Sequence, residues 1–427
     1  MNKQILLITG LATLTLIPSL MASQQPGDSN DIQTLEDYLR YASLNNAGLK
    51  AKFEQWKAAL EQVPQAKALD DPKFTYSYYI EQVETRVGPQ QHQFGIMQVF
   101  PWFGKIQART DAASAKANAA KEKYEAAKLK LFWQVKDAYA EYVYLAEAIN
   151  IAKQNLELLK HFEEVARTKY ITATATHPDI IRAQIELVKY EDVLKSLEQL
   201  REPRVAKLNA VLNRPTTAEL PWPEKQTFQQ TNIDKIQLIK MLKENNPELA
   251  GLSWEIQAAR DRVDLAKKKF YPDIGVGVNW IQTGSAIGSG VSDSGKDPVL
   301  LTFSMNLPLW QNSYKAAERR AKAEKLKIAQ QKLDTENNLL ARAMQVLYDF
   351  EDSKRKMNLY GDALVEKAQE LLHASEAAYK TGSIDFLSLI DAQQMLLKYR
   401  LEYERALTNN QQKQAELEML IGAELSR

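Results

Sequence analysis

Cysteine is absent from this 427-residue chain. Disulfides and thiolate metal sites are therefore excluded, and an oxidising compartment, where a stray thiol is a liability, fits the absence. Charge imbalance is missing too. The 55 Lys and Arg residues against 54 Asp and Glu give a formal net charge of +1, which offers no electrostatic case for nucleic acid. No segment beyond the N-terminus approaches a transmembrane helix, and no glycine-rich phosphate loop follows a strand pattern. His92, His161, His177 and His373 are scattered without ligand spacing, and no Ser/His/Asp arrangement can be drawn. Methionines are dispersed along helical stretches as packing residues. Carboxylates such as Glu324 sit among lysines and read as solvated helix faces. The expectation is no catalysis, no cofactor and no metal site.

What is present is said twice. Asn45-Asn46 returns as Asn245-Asn246, and Pro72 as Pro272. The run from Phe94 to Pro101 returns from Leu301 to Pro308, Tyr139 as Tyr348, and Tyr170 with Ala183-Gln184 as Tyr379 with Ala392-Gln393. The offset grows from about 200 to about 209 without reversing, the mark of a tandem duplication. Each copy reads as helix, two short strands, one very long helix, a break, and another helix.

The pattern predicts a helix from Leu35 to about Leu69, stopped by Asp70-Asp71-Pro72. From about Lys105 to Ile171 there is neither proline nor glycine, and strong helix formers dominate. One helix of that size would be roughly 100 Å long and needs a coiled-coil environment. The stretch from Thr172 to Pro178 interrupts it, helix resumes from Asp179 to about Leu212, and an irregular connector with Pro221-Trp222-Pro223 follows. In the second copy the helices are expected over 243–270, 315–380 and up to Gly422, with a break at Thr381-Gly382-Ser383.

At the N-terminus, Lys3 precedes an apolar run from Ile5 to Ile17, and Met21-Ala22-Ser23 supplies small residues. The run is too short to span a bilayer and suits a signal peptide over 1–22; a buried first helix is the plainer alternative. No cysteine is there to carry a lipid anchor.

The strand pairs point furthest. Ile274, Val276, Val278 and Trp280 alternate with Gly275, Gly277 and Asn279, and Leu301, Phe303, Met305 and Leu307 with Thr302, Ser304 and Asn306. In the first copy Phe74, Tyr76, Tyr78 and Ile80 alternate with Thr75, Ser77, Tyr79 and Glu81. Period-two alternation gives each strand an apolar and a polar face. A sheet half-buried on a soluble core would show the same. Small polar-face residues, a long polar loop from Gly284 to Pro298, and aromatics at the strand ends (Phe100, Trp102, Phe103, Trp310 and Tyr271) favour a membrane wall instead. Four strands cannot close a barrel, and an open edge in lipid leaves backbone groups unpaired, so several chains must combine.

With the strand–proline–long-helix units in view, the chain resembles the TolC-like outer-membrane efflux proteins over nearly all of the mature sequence. The carriers are the duplication, the junction prolines Pro72, Pro101, Pro272 and Pro308, and the two tip segments, of which Tyr379 to Gln393 is the more family-like. The resemblance implies a mainly α fold with a small β part in two tandem repeats. Three copies would share a twelve-stranded outer-membrane β-barrel continued by a periplasmic α-helical barrel. It implies a signal peptide (1–22), a first repeat (34–213, strands about 73–86 and 92–100), a connector (214–240) and a second repeat (241–422, strands about 273–283 and 299–307). The implied partners are two further copies in a homotrimer, outer-membrane lipid, a periplasmic adaptor and an inner-membrane pump, expected to be of the resistance-nodulation-division type.

The implied function is a passive exit duct for drugs or metal cations. A duct for one-step protein secretion and a soluble periplasmic coiled-coil scaffold are the alternatives. At the tip, the resemblance places a latch and adaptor-docking region at Asp179, Tyr379 and Gly382, while Ile384 stands where the family's latch arginine would be. Ala173 stands where glycine is usual. Asp391 falls on an acidic ring position that narrows the channel, and Ser388 on another. Trp102, Phe103, Tyr271 and Trp310 are the expected membrane-interface aromatics. Asp179 is also a candidate helix N-cap, and Asp391 a candidate solvated residue on the outside of its helix.

Overall fold

The computed structural model describes residues 32–224 and 233–425. The expected signal peptide and part of the connector lie outside them. The first repeat contains α1 (Leu35–Asn45), α2 (Ala47–Lys67), β1 (Lys73–Thr85), β2 (Gly88–Phe100), α3 (Lys105–Ile171), α4 (His177–Gln199) and α5 (Arg201–Leu212). The second contains α6 (Lys235–Asn245), α7 (Pro247–Lys268), β3 (Ile274–Thr283), β4 (Val299–Met305), α8 (Gln311–Asn358), a π-helical turn (Leu359–Leu364), α9 (Val365–Thr381) and α10 (Phe386–Ile421).

The opening helix of each repeat is two helices where periodicity predicts one. Asn46 is the reason. Its backbone is extended (φ −61°, ψ 121°), its Oδ1 accepts from the Leu49 N–H at 2.9 Å, and its Nδ2 donates to the Val211 carbonyl at 2.8 Å. Asn246 does the same with the Leu249 N–H at 3.1 Å and the Leu420 carbonyl at 2.8 Å. The repeated asparagine thus caps one helix and ties it to the end of its own repeat, stabilising by about 1 kcal/mol per cap.

The long helix α3 runs 67 residues without a break. The expected helix over 179–212 begins at His177 and is split at Leu200, because Pro203 has no N–H to give the carbonyl four residues back. The expected helix over 315–380 starts at Gln311 and carries the π-helical turn, where a Cβ on Gly361 would lie 2.8 Å from Tyr403 Cε2. A glycine lets α10 approach closely there. Strand β2 begins at Gly88, before the expected 92, because the first-repeat turn is only Arg86-Val87. Strand β4 ends at Met305, short of 307.

The four strands form one antiparallel sheet in the order β1-β2-β3-β4. Helices α2, α3, α7 and α8 adjoin in the same order, so the sheet is continued by a four-helix layer, each helix joined to its own strand. Among the described residues, three large hydrophobic clusters and a small one of Met357, Ala406 and Leu407 hold the rods together. Tyr38, Tyr139, Tyr142 and Leu208 pack where α1 and α5 meet α3. Leu238, Leu242, Phe350 and Leu420 form the equivalent where α6 meets α8 and α10. Phe162, Leu372, Phe386 and Leu389 form a third at the far end. No described helix is long and apolar enough to cross a membrane.

Candidate channel wall and tip

The register puts the apolar residues of all four strands on one face. Phe74 stands opposite Ile96, Tyr76 opposite Phe94, Phe94 opposite Trp280, and Val276 opposite Phe303. The other face carries Thr75, Ser77, Gly95, Gly275, Gly277, Asn279, Thr302 and Ser304, with Met97, Val99, Ile281 and Leu300 as apolar exceptions. Asn279 Nδ2 donates to Thr302 Oγ1 at 2.7 Å across this polar face. No described residue covers the apolar face: Ile80 is 89% exposed and Phe303 69%. An aromatic face this bare is stable in lipid and costly in water.

The aromatics expected at a membrane interface gather where sheet passes into helix. Trp102 and Tyr271 stack across the two repeats, ring centroids 5.5 Å apart and planes 7° apart. Phe103 packs edge-on to Trp102. Phe103 and Trp310 are 83% and 80% exposed. Beneath these rings lies a contact that the sequence did not reveal: buried Lys105 Nζ donates to Asp273 Oδ1 at 2.7 Å and to the Tyr271 carbonyl at 2.9 Å. A second aromatic group, Tyr76, Tyr78, His92, Phe94 and Trp280, lies toward the turns. Tyr76 Oη and His92 Nδ1 are 2.9 Å apart. The strand alternation contained its tyrosines; His92 was invisible because it sits in the strand whose alternation is least clean. The long loop folds back over the first-repeat turn, with Gly284 N–H donating to the Pro89 carbonyl and Gly295 N–H to the Val87 carbonyl, both at 2.7 Å.

At the opposite end the two tip segments come together. Lys169 Nζ donates to the Tyr379 carbonyl at 2.7 Å and the Lys380 carbonyl at 3.0 Å, closing the last turn of α9. Gly382 adopts φ +80° as the residue after α9, and Ala173 takes φ +50° at the equivalent place after α3. Tyr379 is buried against Phe386, and its hydroxyl has no partner among the described residues. Burial, and then the charge of Asp179, push its pKa up to about 12, so it stays protonated at neutral pH. Asp179 is not the N-cap of α4. Thr176 is, and Asp179 completes the capping box by accepting from Thr176 N at 3.1 Å and Thr176 Oγ1 at 2.9 Å. Pro178 lies inside the first turn of α4, whereas the sequence pattern ends the break at Pro178 and starts the helix at Asp179. Ile384 turns partly into the tip core.

Asp391 and Ser388 share an exposed stripe of α10 with Leu387, Met395 and Lys398. Ser388 N–H and Oγ both donate to Asp385 Oδ1, at 2.9 and 2.7 Å, so this serine is committed to capping α10. Asp391, exposed on the next turn, has no such contact among the described residues.

The pattern that defines the outer membrane efflux protein family matches residues 39–214 and 238–423. The chain is 20% identical over 443 aligned positions to the cobalt-zinc-cadmium resistance protein CzcC of Cupriavidus metallidurans, covering 98% of this chain and all of that one. It is 22% identical to the pyoverdine export outer membrane protein OpmQ of Pseudomonas putida, over 74% of this chain and 66% of the relative. Among solved structures, the outer membrane protein VceC of Vibrio cholerae superposes with a TM-score of 0.74 at 18% identity, covering 92% of this chain and 97% of that one.

Proposed function

The chain belongs to the outer membrane efflux protein family, and from that premise we propose that three copies close their sheets into one twelve-stranded barrel. The protein is an outer-membrane channel with most of its chain in the periplasm, a passive conduit and not an enzyme. The observation that carries the trimeric reading is the two-faced sheet with β1 and β4 left as open edges. Each unpaired edge group in lipid costs several kcal/mol, and pairing β4 of one copy with β1 of the next removes every edge. The layer α2-α3-α7-α8, continuing the strand order, then extends the bore inward.

The tip end is the surface for a periplasmic adaptor, and the energy comes from an inner-membrane pump, here taken as the resistance-nodulation-division type. Asp179, Tyr379 and Gly382 belong to the latch and docking region, and Asp391 with Ser388 to the constriction. The cargo is a small molecule, drug or metal cation. CzcC is named for metal resistance and OpmQ for pyoverdine export, so family alone leaves the cargo class open. Mass measurement of the purified protein in lipid nanodiscs, with conductance recorded from the same material, tests the reading. A monodisperse trimer that conducts is expected; a monomer, stable without detergent, would overturn it.

A further inference from the structure

A groove of about 450 Å³ runs along the four-helix layer, lined by α2, α3, α7 and α8 together. Among the described residues its lining includes Lys116, Lys123 and Arg262 as cations and Glu255 as the one carboxylate, over a floor that includes Ala120 and Ala258. Four adjacent helices can wall one groove only on the concave side of their layer. On the reading above, that side faces the bore. The opposite face of the α3–α7 pair carries Gln107, Asp111, Gln257 and Asp261, so the two faces differ in charge.

The groove's cations are spaced for this face. Arg109, Lys116, Lys123 and Lys130 recur every seven residues along α3, with Ala113, Ala120 and Ala127 between them. A seven-residue period keeps side chains on nearly one face of a helix. Arg109 is used up on the Ala66 and Ala68 carbonyls, both at 2.6 Å, and Lys123 on Glu255 at 2.5 Å. Lys116 and Arg262 have no ion-pair partner among the described residues. Partial burial and then the charge of Arg262 push the Lys116 ammonium below its usual pKa. Two cations are thus held near each other without compensation.

We propose that this groove is a lumenal binding site for anionic groups, of the carboxylate or phosphate class, on the cargo. The proposal rests on the duct reading and narrows its cargo. Three copies set three cations against one carboxylate at each groove, repel bare divalent metal ions at that level, and give an anionic solute a place to dwell between tip and barrel. The acidic Asp391 lies on α10 at the tip, outside the groove.

The test uses the full-length protein with Lys116→Gln and Arg262→Gln combined, and Lys116→Arg with Arg262→Lys as a charge-keeping control that shows folding and assembly are intact. Citrate titration at low ionic strength should show saturable binding to the wild type and control, weakened roughly tenfold in the glutamine variant. In planar bilayers under a salt gradient, the glutamine variant's reversal potential should shift toward cations relative to wild type. Absence of saturable citrate binding, or binding equal in wild type and glutamine variant, overturns the proposal. An unshifted reversal potential in a conducting variant overturns it as well. Failure of the wild type to conduct counts against the duct; the citrate titration still decides the groove.

Discussion

Lys105 and Asp273 join the two repeats at the point where barrel passes into helix. The ammonium opens α3, the carboxylate precedes β3, and they meet at 2.7 Å with side chains only 11% and 29% exposed. Asp273 Oδ1 also accepts from the Trp102 N–H at 2.8 Å. One oxygen thus holds both repeats together where their strands pass into helices. Asp273→Ala leaves a mostly buried cation unpaired and is expected to cost about 3 kcal/mol. Lys105→Met, which removes the charge but keeps the stem, should cost less. Thermal unfolding of the assembled protein checks the order of the two.

The two faces of the sheet should respond oppositely to charge. Phe303→Arg places a cation on the apolar face and should cost roughly 2–4 kcal/mol, seen as loss of assembled channel in outer-membrane fractions. Thr302→Arg, one residue away on the polar face, should assemble at near wild-type levels. Equal failure of both would show that the faces are not lipid and water.

For the tip, Tyr379→Phe keeps the ring against Phe386 and removes only the unpartnered hydroxyl. Stability should change by less than about 1 kcal/mol, while resting conductance rises if that hydroxyl latches a neighbouring copy; a rise is expected. Asp179→Ala should also raise it and cost about 1 kcal/mol through loss of the capping box. Bilayer recordings beside thermal melts separate the two effects. Unchanged conductance in both variants would leave only packing and capping.

Asp391→Asn removes a carboxylate from the exposed stripe of α10. Three such groups around one axis favour cations, so the variant should shift selectivity toward anions and lose part of its block by polyvalent cations. An identical reversal potential in wild type and variant would remove Asp391 from the constriction.

Ala173 holds φ +50° where Gly382 holds φ +80° in the other repeat. A side chain in the left-handed region is strained and glycine is not. Ala173→Gly is expected to stabilise the tip by up to about 1 kcal/mol, readable as slower hydrogen exchange around Thr174, whose N–H donates to the Lys169 carbonyl at 2.8 Å.

Much of this molecule was written in residue order. The duplication, the uninterrupted helix from Lys105 to Ile171 and the alternating faces of β1, β3 and β4 all follow from local rules: which residues tolerate helix, where proline stops it, and how a strand turns its side chains. Those rules act over a few residues, so one sequence states them. What it could not state were relationships between segments a hundred or more residues apart. Asn46 and Asn246 look like ordinary helix residues until the carbonyls of Val211 and Leu420 arrive beside them. Lys105 looks like one lysine among many until β3 brings Asp273 to it, and the cations of α3 acquire a common groove only when Arg262 approaches from α7. Hydrogen bonds and charge pairs depend on distance in space, and that distance is set by packing of the whole layer rather than by any neighbourhood along the chain.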